Sequence, residues 1–563
     1  MLSRISQLSA TNLRTAAVVI TALVFGPLLF NGFTTWDDPN YVYNNPTVTG
    51  FASEGWSWSN LFSDRSMGIL HPVTWLSLGI DHWLWELEPF GYHLTSWLLH
   101  LFNVFLVFQL LRRWTASAVE AAFGALLFGI HPMHLEAVAW ISSRKDLLMG
   151  TFVLLGLLQY HNYRDRESLK SYLLSLLFFG LACLSKPTAM VFPAFLLLVD
   201  FWQKRAHSIR LWLDKLPFVA GSVAMLWITL DTQKATGALN QADIIPWWHG
   251  IVIGARNLVV YLFDFFVPVR VSPYHPYAEL DPTVMPSHFY LFLGLFVLVL
   301  FGVIYSLRYQ RWLAFSLTWM VVGLIPVLQL LPQGSAITAD RYTYLPYIGL
   351  SFGLIVLVRT LGNQPLARWV PGLAMGTLVV FSGFSVYFSG IWKDTYALWD
   401  RVVEHYPNHF YAYLNRGYAY HLDKNHTEAL VDLNLAIQKN PRYYQGYDYR
   451  ARVFLSLDNP EAAIQDFTKG LQLNPKQIDL LLDRALAFSQ LNLQREALAD
   501  FNAYIELDPD FPYAYFWRAV VWERLGQPAN AIADYNQGLQ LAPQNPEVLN
   551  NRAWVYYNVG ETK

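Results

Sequence analysis

The sequence predicts an all-α protein in which a polytopic membrane helical bundle is followed by an α-solenoid. Two observations support this prediction. Residues 1–392 consist largely of long apolar stretches, and the whole chain of 563 residues is 54% hydrophobic but only 14% charged. Residues 393–563 instead carry a proline every 34 residues, the period of a stacked helical repeat. These prolines are Pro407, Pro441, Pro475, Pro509 and Pro543.

The composition narrows the class of protein further. The 22 Trp and 32 Tyr residues suit a membrane protein, because bilayer interfaces favour both side chains. A net charge of −2 offers no electrostatic footprint for nucleic acid, so nucleic acid is not an expected partner. The single cysteine, Cys183, excludes disulfides within the chain and cysteine-based metal sites. The first apolar stretch, residues 15–33, is longer than a signal-peptide core and is predicted to be a retained helix.

The number of membrane spans follows from the basic clusters. Twelve apolar segments lie between residues 15–33 and 366–388, and basic residues are expected on the cytoplasmic side. Twelve crossings would leave the late clusters near Arg308 and Arg359 on the wrong side. One segment, 248–267 or its neighbour, is therefore expected not to cross. The result is about eleven spans, with the repeats outside the cytoplasm.

The repeat region shows small and bulky residues at fixed positions, as paired antiparallel helices require, and it resembles the tetratricopeptide repeat (TPR). Two charged columns share the period and are predicted to form structural Arg–Asp pairs rather than a ligand site. These columns are Arg416, Arg450, Arg484, Arg518 and Arg552, with Asp432, Asp466, Asp500 and Asp534. Binding is expected at varying positions on the concave face, namely Tyr411, Asp448, Tyr513, Phe516 and Trp554.

Polar motifs stand at the predicted outer ends of the apolar helices. The first outer loop, residues 34–90, opens with Asp37 and Asp38. A carboxylate just outside the membrane can accept a proton from an incoming hydroxyl or hold a cation. The alternative is a turn, since Asp-Asp-Pro is good turn chemistry.

A second motif, HPMHLEAVAWISSRKD, contains six polar residues: His131, His134, Glu136, Arg144, Lys145 and Asp146. The spacing of the two histidines and the glutamate admits a zinc site, but no further ligand set has the usual spacing. The motif is therefore predicted to be a polar network in which Arg144 and Lys145 face an anion.

Two more motifs supply cations. Lys186 is a lone charge between two apolar helices, where a charge is costly and functional by default. Asp340, Arg341 and Tyr344 begin another apolar helix, and arginine can grip phosphate bidentately. Outward carboxylates and cations on an apolar bundle suit a substrate with a phosphate head and a lipid tail.

These motifs occur in an order that resembles a bacterial member of the transmembrane-and-tetratricopeptide (TMTC-like) family, related to protein O-mannosyltransferases of the GT-C glycosyltransferase class. The matching elements begin with Trp36-Asp37-Asp38, HPVTWLS from His71 and GYHLTSWLLH with His93. HPMHLEAVAW, RKD, LSKP, ADRYTYLP and the repeats follow. In relatives an acidic residue commonly follows the lysine that matches Lys186, whereas here Pro187 does.

The resemblance implies a membrane domain, residues 1–392, that is GT-C-like and a TPR domain, residues 393–563. It implies a catalytic base at Asp37 or Asp38, and no metal or other cofactor, because relatives that use lipid-monophosphate sugars generally need none. The donor phosphate is then expected at Arg144, Lys145, Lys186 and Arg341. A supporting polar network is expected from His71, His93, His131, His134, Glu136, Asp146, Asp340 and Tyr344.

The expected function is transfer of a hexose, mannose-like by resemblance, from a polyprenyl-phosphate donor to a hydroxyl. The acceptor is expected to be Ser or Thr of a protein that the TPR domain presents through Tyr411, Tyr513, Phe516 and Trp554. The expected location is the bacterial inner membrane with the TPR domain on the periplasmic side. Two alternatives stay open: a non-enzymatic scaffold that recruits proteins through its repeats, and a transporter of lipid-linked sugar.

Overall fold

The computed structural model describes residues 8–51, 57–65, 67–205, 209–235, 246–277, 286–331, 334–361 and 369–560, with the side chain of Arg210 left out. Residues 52–56 and 66 of the predicted first outer loop lie outside the described residues. The chain divides into two compact units, Met1–Val402 and Val403–Lys563. The division falls inside the helix Thr395–His405, whereas the sequence places the domain boundary at residues 392/393.

The first unit is helical almost throughout. Its α-helices are Ala10–Phe25, Pro46–Thr49, Trp58–Ser63, Pro72–Trp85, Pro89–Thr115, Ala118–Gly129, Leu135–Ala139, Arg144–Arg166, Leu169–Ser185, Phe192–Trp202, Ile209–Leu213, Leu216–Ala235, Trp247–Phe266, Ser287–Tyr309, Arg311–Leu324, Pro346–Leu361, Val370–Ser389 and Thr395–His405. The strands β1 (His275–Pro276) and β2 (Ala336–Thr338) form a small antiparallel pair in which His275 lies opposite Thr338.

Six helices in the described part of the chain are long and apolar enough to cross a membrane. A seventh candidate is the pair Ala118–Gly129 and Pro132–Ala139, which is bent by 56°. Four shorter apolar helices accompany them: Leu169–Ser185, Pro187–Trp202, Arg311–Val327 and Pro346–Leu361. The segment expected not to cross, Trp247–Phe266, is itself long and apolar enough to do so, and the total of about eleven spans stays a prediction.

Several apolar helices are broken where proline or a tight contact forbids continuation. Pro132 ends the helix Ala118–Gly129, because proline lacks an N–H and disfavours helical geometry in the preceding residue. Gly129 packs so closely against the first helix that a Cβ there would lie 2.3 Å from Thr21 Oγ1. Pro187 likewise leaves Lys186 extended at φ −153° and ψ 125° after the helix Leu169–Ser185. These breaks place buried polar side chains between apolar helices.

The second unit is an array of paired helices. They are Phe410–Leu422, His426–Lys439, Tyr444–Ser456, Pro460–Leu473, Ile478–Gln490, Gln494–Leu507, Pro512–Arg524, Pro528–Leu541 and Pro546–Val559. The small residues that recur with the 34-residue period include an alanine in each full repeat, and this column is fully buried at Ala429, Ala463, Ala497 and Ala531. The bulky column that follows it, Leu433, Phe467, Phe501 and Tyr535, is buried as well.

The predicted Arg–Asp pairs are confirmed in all four full repeats. In each pair the guanidinium donates twice to the carboxylate sixteen residues later, with distances of 2.7–2.9 Å. The pairs are Arg416–Asp432, Arg450–Asp466, Arg484–Asp500 and Arg518–Asp534. Arg552 instead donates to Asn536 at 2.7 Å. The charged columns therefore hold the repeats together rather than form a ligand site.

Candidate functional site

Asp37 and Asp38 have different surroundings, although they are neighbours in the sequence. Asp38 is buried, with 1% of its surface exposed, and each carboxylate oxygen accepts two hydrogen bonds. Oδ2 accepts from Thr34 N at 2.8 Å and Oγ1 at 3.0 Å, and Oδ1 accepts from Ser142 Oγ at 2.7 Å and N at 3.3 Å. Asp38 thus ties the first outer loop to the turn Ile141–Ser143.

Asp37 is half-buried, and no residue that the structure describes donates a hydrogen bond to its carboxylate. Burial raises the pKa of Asp37 above its ordinary value of 3.8, while the charges of Lys145 and Arg341 oppose that rise. A carboxylate without hydrogen-bonding partners, accessible and poised between cations, can accept a proton. Of the two candidates for the base, the geometry favours Asp37.

The cations of the site stand at helix breaks. Lys145 lies in the first turn of Arg144–Arg166, and its Nζ donates to Tyr41 Oη at 2.6 Å. Lys186 Nζ donates to Asp146 Oδ1 at 2.5 Å. Arg341 lies in the short 3₁₀ turn Asp340–Thr343. These positions place three positive groups near one another without any of them interrupting a continuous helix.

Glu136 holds Arg341 from two sides. Its Oε2 accepts from the Arg341 backbone N–H at 2.8 Å, and its Oε1 accepts from Arg341 Nη1. The guanidinium also lies over the rings of Trp140 and Tyr342, with 5.0 Å to each centroid. Arg341 Nε is buried without a hydrogen-bond partner among the described residues. Arg341 is therefore fixed in place while keeping donor capacity for an anion.

Lys186 and Arg341 share one cleft. Tyr342 lies beneath both cations, 5.1 Å from Lys186 Nζ to its ring centroid. The other wall residues are mostly apolar, and they are Met149, Thr188, Val191, Phe195, Gly323, Val327, Tyr344, Leu345 and Pro346, with Asp146 beside Lys186. Asp146 Oδ2 is buried in the same region without a hydrogen-bond partner in the described chain. The cavity between these walls measures only ≈20 Å³, so the two cations mark an anion-binding position at the end of an apolar cleft rather than a preformed phosphate pocket.

The prediction that Arg144 binds the donor phosphate is wrong, because its guanidinium group is turned to other partners. It is fully buried, and all three guanidinium nitrogens already donate to protein acceptors. Nη1 contacts Asp81 Oδ2 at 2.7 Å and Ser77 Oγ at 3.0 Å, Nε contacts Ser96 Oγ at 2.9 Å, and Nη2 contacts the Tyr92 carbonyl at 2.6 Å. Arg144 anchors its helix to Pro72–Trp85 and Pro89–Thr115 and does not reach the anion site.

The expected polar network divides into parts. Glu136 and Asp146 hold the site cations, whereas Asp340 accepts from His275 Nε2 at 2.9 Å and from Ser272 N at 3.2 Å. Tyr344 Oη is hydrogen-bonded to His100 Nδ1 at 2.8 Å and accepts from Asn103 Nδ2 at 3.1 Å, and all three side chains are buried between helices. Asp340 and Tyr344 thus support the fold around the site.

The histidines are buried and held by backbone carbonyls. His71 Nδ1 contacts the Ile69 carbonyl at 3.1 Å, and its ring packs on Trp75 with centroids 4.2 Å apart. His93 Nε2 lies 3.4 Å from the Gly32 carbonyl and His134 Nδ1 lies 2.8 Å from the Phe128 carbonyl. His131 uses both ring nitrogens, Nε2 towards the Phe265 carbonyl at 3.1 Å and Nδ1 towards Met133 N at 3.3 Å.

Those contacts leave His131 no lone pair for a metal, which argues against the zinc alternative at this motif. The described residues contain no group of three or more His, Cys, Asp or Glu side chains that could hold a metal ion. The metal-free reaction expected from the resemblance stays a prediction.

Aromatic residues that the sequence analysis did not single out complete the site. Trp36 stacks on Trp140 with 4.7 Å between ring centroids, and Trp140 stacks on Trp392 at 5.7 Å. Because Trp36 immediately precedes Asp37, this stack fixes the backbone that carries the carboxylate. Tyr41 and Tyr342 support the cations. Each of these residues except Trp392 lies inside or beside one of the polar motifs of the sequence. Their closeness along the chain to the charged residues is the signal that could have identified them.

The TPR residues expected to bind an acceptor differ in accessibility. Tyr513 is 44% exposed and Trp554 is 61% exposed, while Tyr411 is half-buried. The prediction that Phe516 lies on the binding surface is wrong, because Phe516 is buried in the core. It packs so tightly on Gly538 that a Cβ there would lie 2.2 Å from its ring. Asp448 is also largely buried, and its carboxylate is paired with Arg452 at 2.8 Å.

Comparison with known proteins agrees with this architecture. Residues 84–230 match the dolichyl-phosphate-mannose-protein mannosyltransferase family. Tetratricopeptide-repeat families match residues 397–444, 446–477 and 482–546. The first match contains Lys145 and Lys186, and the others cover most of the second unit.

The chain is also similar to curated O-mannosyl-transferases. Human Protein O-mannosyl-transferase TMTC3 is 21% identical over 462 residues, which cover 73% of this chain and 49% of that protein. Human TMTC4 is 24% identical over 469 residues, covering 70% and 61%. Mouse TMTC3 is 31% identical over a shorter stretch of 153 residues, 26% of this chain and 16% of that protein.

The chain thus spans about half the length of human TMTC3. Both parts of the architecture, and their order, recur in these matches. The chain is therefore similar to the TMTC O-mannosyl-transferases in its order of parts, with a segment that matches the dolichyl-phosphate-mannose-protein mannosyltransferase family followed by tetratricopeptide repeats.

Proposed function

We propose that this protein is a membrane glycosyltransferase that moves a hexose from a polyprenyl-phosphate donor to a hydroxyl group, that of Ser or Thr in a protein acceptor. One observation carries the proposal. The charges of Lys145 and Arg341 favour the ionised form of the half-buried Asp37 carboxylate. Arg341 in turn shares a largely apolar cleft with Lys186. A base, an anion-binding pair and a surface for lipid therefore meet in one place.

In this proposal the donor phosphate binds between Lys186 and Arg341, where the cavity of ≈20 Å³ widens to admit it. Glu136 and Asp146 hold these two cations in position but leave part of the guanidinium without partners among the described residues. A phosphate oxygen can take up those donors through charge-assisted hydrogen bonds. The apolar wall residues Val191, Phe195 and Val327 suit the first prenyl units of the carrier.

The reaction is a single displacement at the anomeric carbon. The acceptor oxygen forms a bond to that carbon while the bond from the carbon to the phosphate oxygen breaks, and the electron pair leaves with polyprenyl phosphate. Asp37 takes the proton of the acceptor hydroxyl. Lys186 and Arg341 stabilise the charge that develops on the leaving phosphate. Direct attack opposite the leaving group inverts the anomeric configuration.

The TPR unit supplies the protein partner in this proposal, because tetratricopeptide arrays present extended binding surfaces for polypeptides. Tyr513 and Trp554 are the exposed aromatic residues among those expected to bind the acceptor. We further propose that the chain lies in a bacterial inner membrane with the repeats in the periplasm. Protease protection in sealed inverted vesicles tests the side: repeats in the periplasm would resist added protease.

The enzymatic proposal is tested by transfer in reconstituted membranes. Full-length protein in liposomes that contain a polyprenyl-phosphate hexose and a Ser/Thr peptide is expected to glycosylate the peptide, and Asp37→Asn is expected to abolish most of that transfer. Undiminished transfer by Asp37→Asn would refute the assigned base. If the wild-type protein instead co-purifies with stable partners and its deletion changes no envelope glycan, the scaffold alternative holds.

A further inference from the structure

The first outer loop contains a second cleft, separate from the one shared by Lys186 and Arg341. Its cavity volume of ≈440 Å³ falls in the range of about 300–1,000 Å³ that small ligands or short peptide segments occupy. Four of its seven wall residues carry an amide or a hydroxyl group. The wall residues are Asn40, Asn44, Asn45, Pro46, Thr47, Asp64 and Met67.

Part of this lining builds the cleft and part is available to a ligand. Asn45 Oδ1 accepts from Thr47 N at 2.9 Å, and its Nδ2 donates to the Asn40 carbonyl at 3.1 Å. Thr47 Oγ1 donates to Asp64 Oδ2 at 2.7 Å. The side-chain amides of Asn40 and Asn44 are exposed and form no hydrogen bond with any described residue. Each amide therefore keeps a donor and an acceptor for a ligand.

The same turn carries these two amides and the proposed base. The Tyr41 N–H donates to the Asp37 carbonyl at 3.0 Å, and the Asn44 N–H donates to the Pro39 carbonyl at 2.8 Å. Asp37 stands just before the π-helical turn Pro39–Tyr43, Asn40 lies in that turn, and Asn44 caps its end. Asn40 is thus three residues from the proposed base along one compact segment. A ligand in this cleft therefore sits next to the base.

We propose that this cleft binds the acceptor polypeptide beside the hydroxyl that reacts, an inference that rests on the proposed function. Asn40 and Asn44 grip the peptide backbone, since a side-chain amide matches the one donor and one acceptor of a peptide group. Two amides on one short turn can pair with neighbouring peptide groups of an extended segment, and this pairing assigns the cleft to a polypeptide rather than to an oligosaccharide.

The remaining wall residues set a coarse sequence preference. Asp64 places negative charge at one side of the cleft, which disfavours acidic residues next to the glycosylated position. Met67 and Pro46 offer the apolar surface on which a side chain of the acceptor can pack. The acceptor segment is therefore a neutral or basic extended stretch around the reacting Ser or Thr.

The test uses full-length protein in liposomes with a polyprenyl-phosphate hexose and a neutral Ser/Thr peptide. In the double variant Asn40→Ala/Asn44→Ala the KM for the peptide is expected to rise roughly 5- to 100-fold, the loss of two hydrogen bonds between neutral groups. The KM for the donor is expected to change far less. Asn60→Ala, on the neighbouring helix Trp58–Ser63 outside the cleft, is the matched control and leaves both values unchanged.

Peptide binding without donor is measured in parallel, by fluorescence of a labelled peptide. A weakened affinity in the double variant supports the cleft even if no transfer occurs, in which case only the enzymatic function is refuted. Unchanged peptide KM and unchanged affinity would overturn the cleft while leaving the enzyme intact. A defect confined to an oligosaccharide acceptor would also overturn the peptide assignment.

Discussion

Substitutions of the adjacent residues Asp37 and Asp38 are expected to have opposite effects, one on the transfer rate and the other on the stability of the fold. Asp37→Asn removes a carboxylate that receives no hydrogen bond from a described residue, so it removes the proposed base and few contacts besides. A general base contributes roughly 10²- to 10⁴-fold to the rate, and a loss of this size is expected in transfer. The melting temperature of the protein in detergent should stay close to that of the wild type.

Asp38→Asn acts on the fold. Its two oxygens accept from Thr34 N and Oγ1 and from Ser142 N and Oγ, and asparagine replaces one of these acceptors by an NH₂ donor. Whichever oxygen is lost, a buried backbone N–H and a hydroxyl are left facing a donor. At about 1–3 kcal/mol for each unsatisfied group, the expected loss is roughly 2–5 kcal/mol of stability, because the hydroxyl can rotate to another acceptor only in part.

The assay compares both variants for initial transfer rate in liposomes and for thermal unfolding in detergent, with expression level recorded. The expected pattern is a stable, inactive Asp37→Asn and a destabilised Asp38→Asn that retains transfer in proportion to its folded fraction. The assignment is refuted if Asp38→Asn is as stable as the wild type and inactive while Asp37→Asn transfers sugar normally.

Three further predictions follow from the site and the repeats. Arg341→Lys should raise the donor KM about 10- to 100-fold, because one charge-assisted contact is lost. Arg144→Lys should instead lower thermal stability without a donor-specific effect. The reverse result would contradict both roles. Transfer needs ionised Asp37, whose raised pKa places the acid limb of the pH–rate profile above pH 3.8, so a limb at or below that value would contradict it. Arg484→Ala should cost about 1–3 kcal/mol and make the repeats of the full-length protein more sensitive to limited proteolysis; unchanged sensitivity would deny the Arg–Asp pairs a structural role.

The repeat unit was predictable almost completely. A 34-residue period fixes where small residues, bulky residues and charged pairs must fall, because each repeat makes the same contacts with its neighbours. The four Arg–Asp pairs and the buried alanine column follow directly from that period. Phe516 was misjudged because it varies between repeats and yet faces Gly538, and variation alone does not reveal exposure.

The membrane unit was predictable in kind but not in detail. Charged residues between apolar helices identify Lys186 and Arg341, since a charge in that setting is costly. The same argument applied equally to Arg144, which pairs instead with Asp81, a residue distant in the sequence. The acidic partner of Lys186 is Asp146, supplied by another helix where the motif itself has Pro187. Long-range pairs of this kind leave no local pattern.

The sequence by itself determined that the protein is a helical membrane bundle joined to tetratricopeptide repeats, and which polar motifs stand at the ends of apolar helices. Periodicity and hydropathy are local properties, so they can be found along the chain. Only the tertiary structure shows that both carboxylate oxygens of Asp38 accept hydrogen bonds while Asp37 receives none from a described residue, and that Arg144 is fully occupied while Arg341 Nε has no partner in the described part of the chain. The physical reason is that hydrogen-bond partners and burial, which set what a charged group can do, come from segments far apart in the sequence.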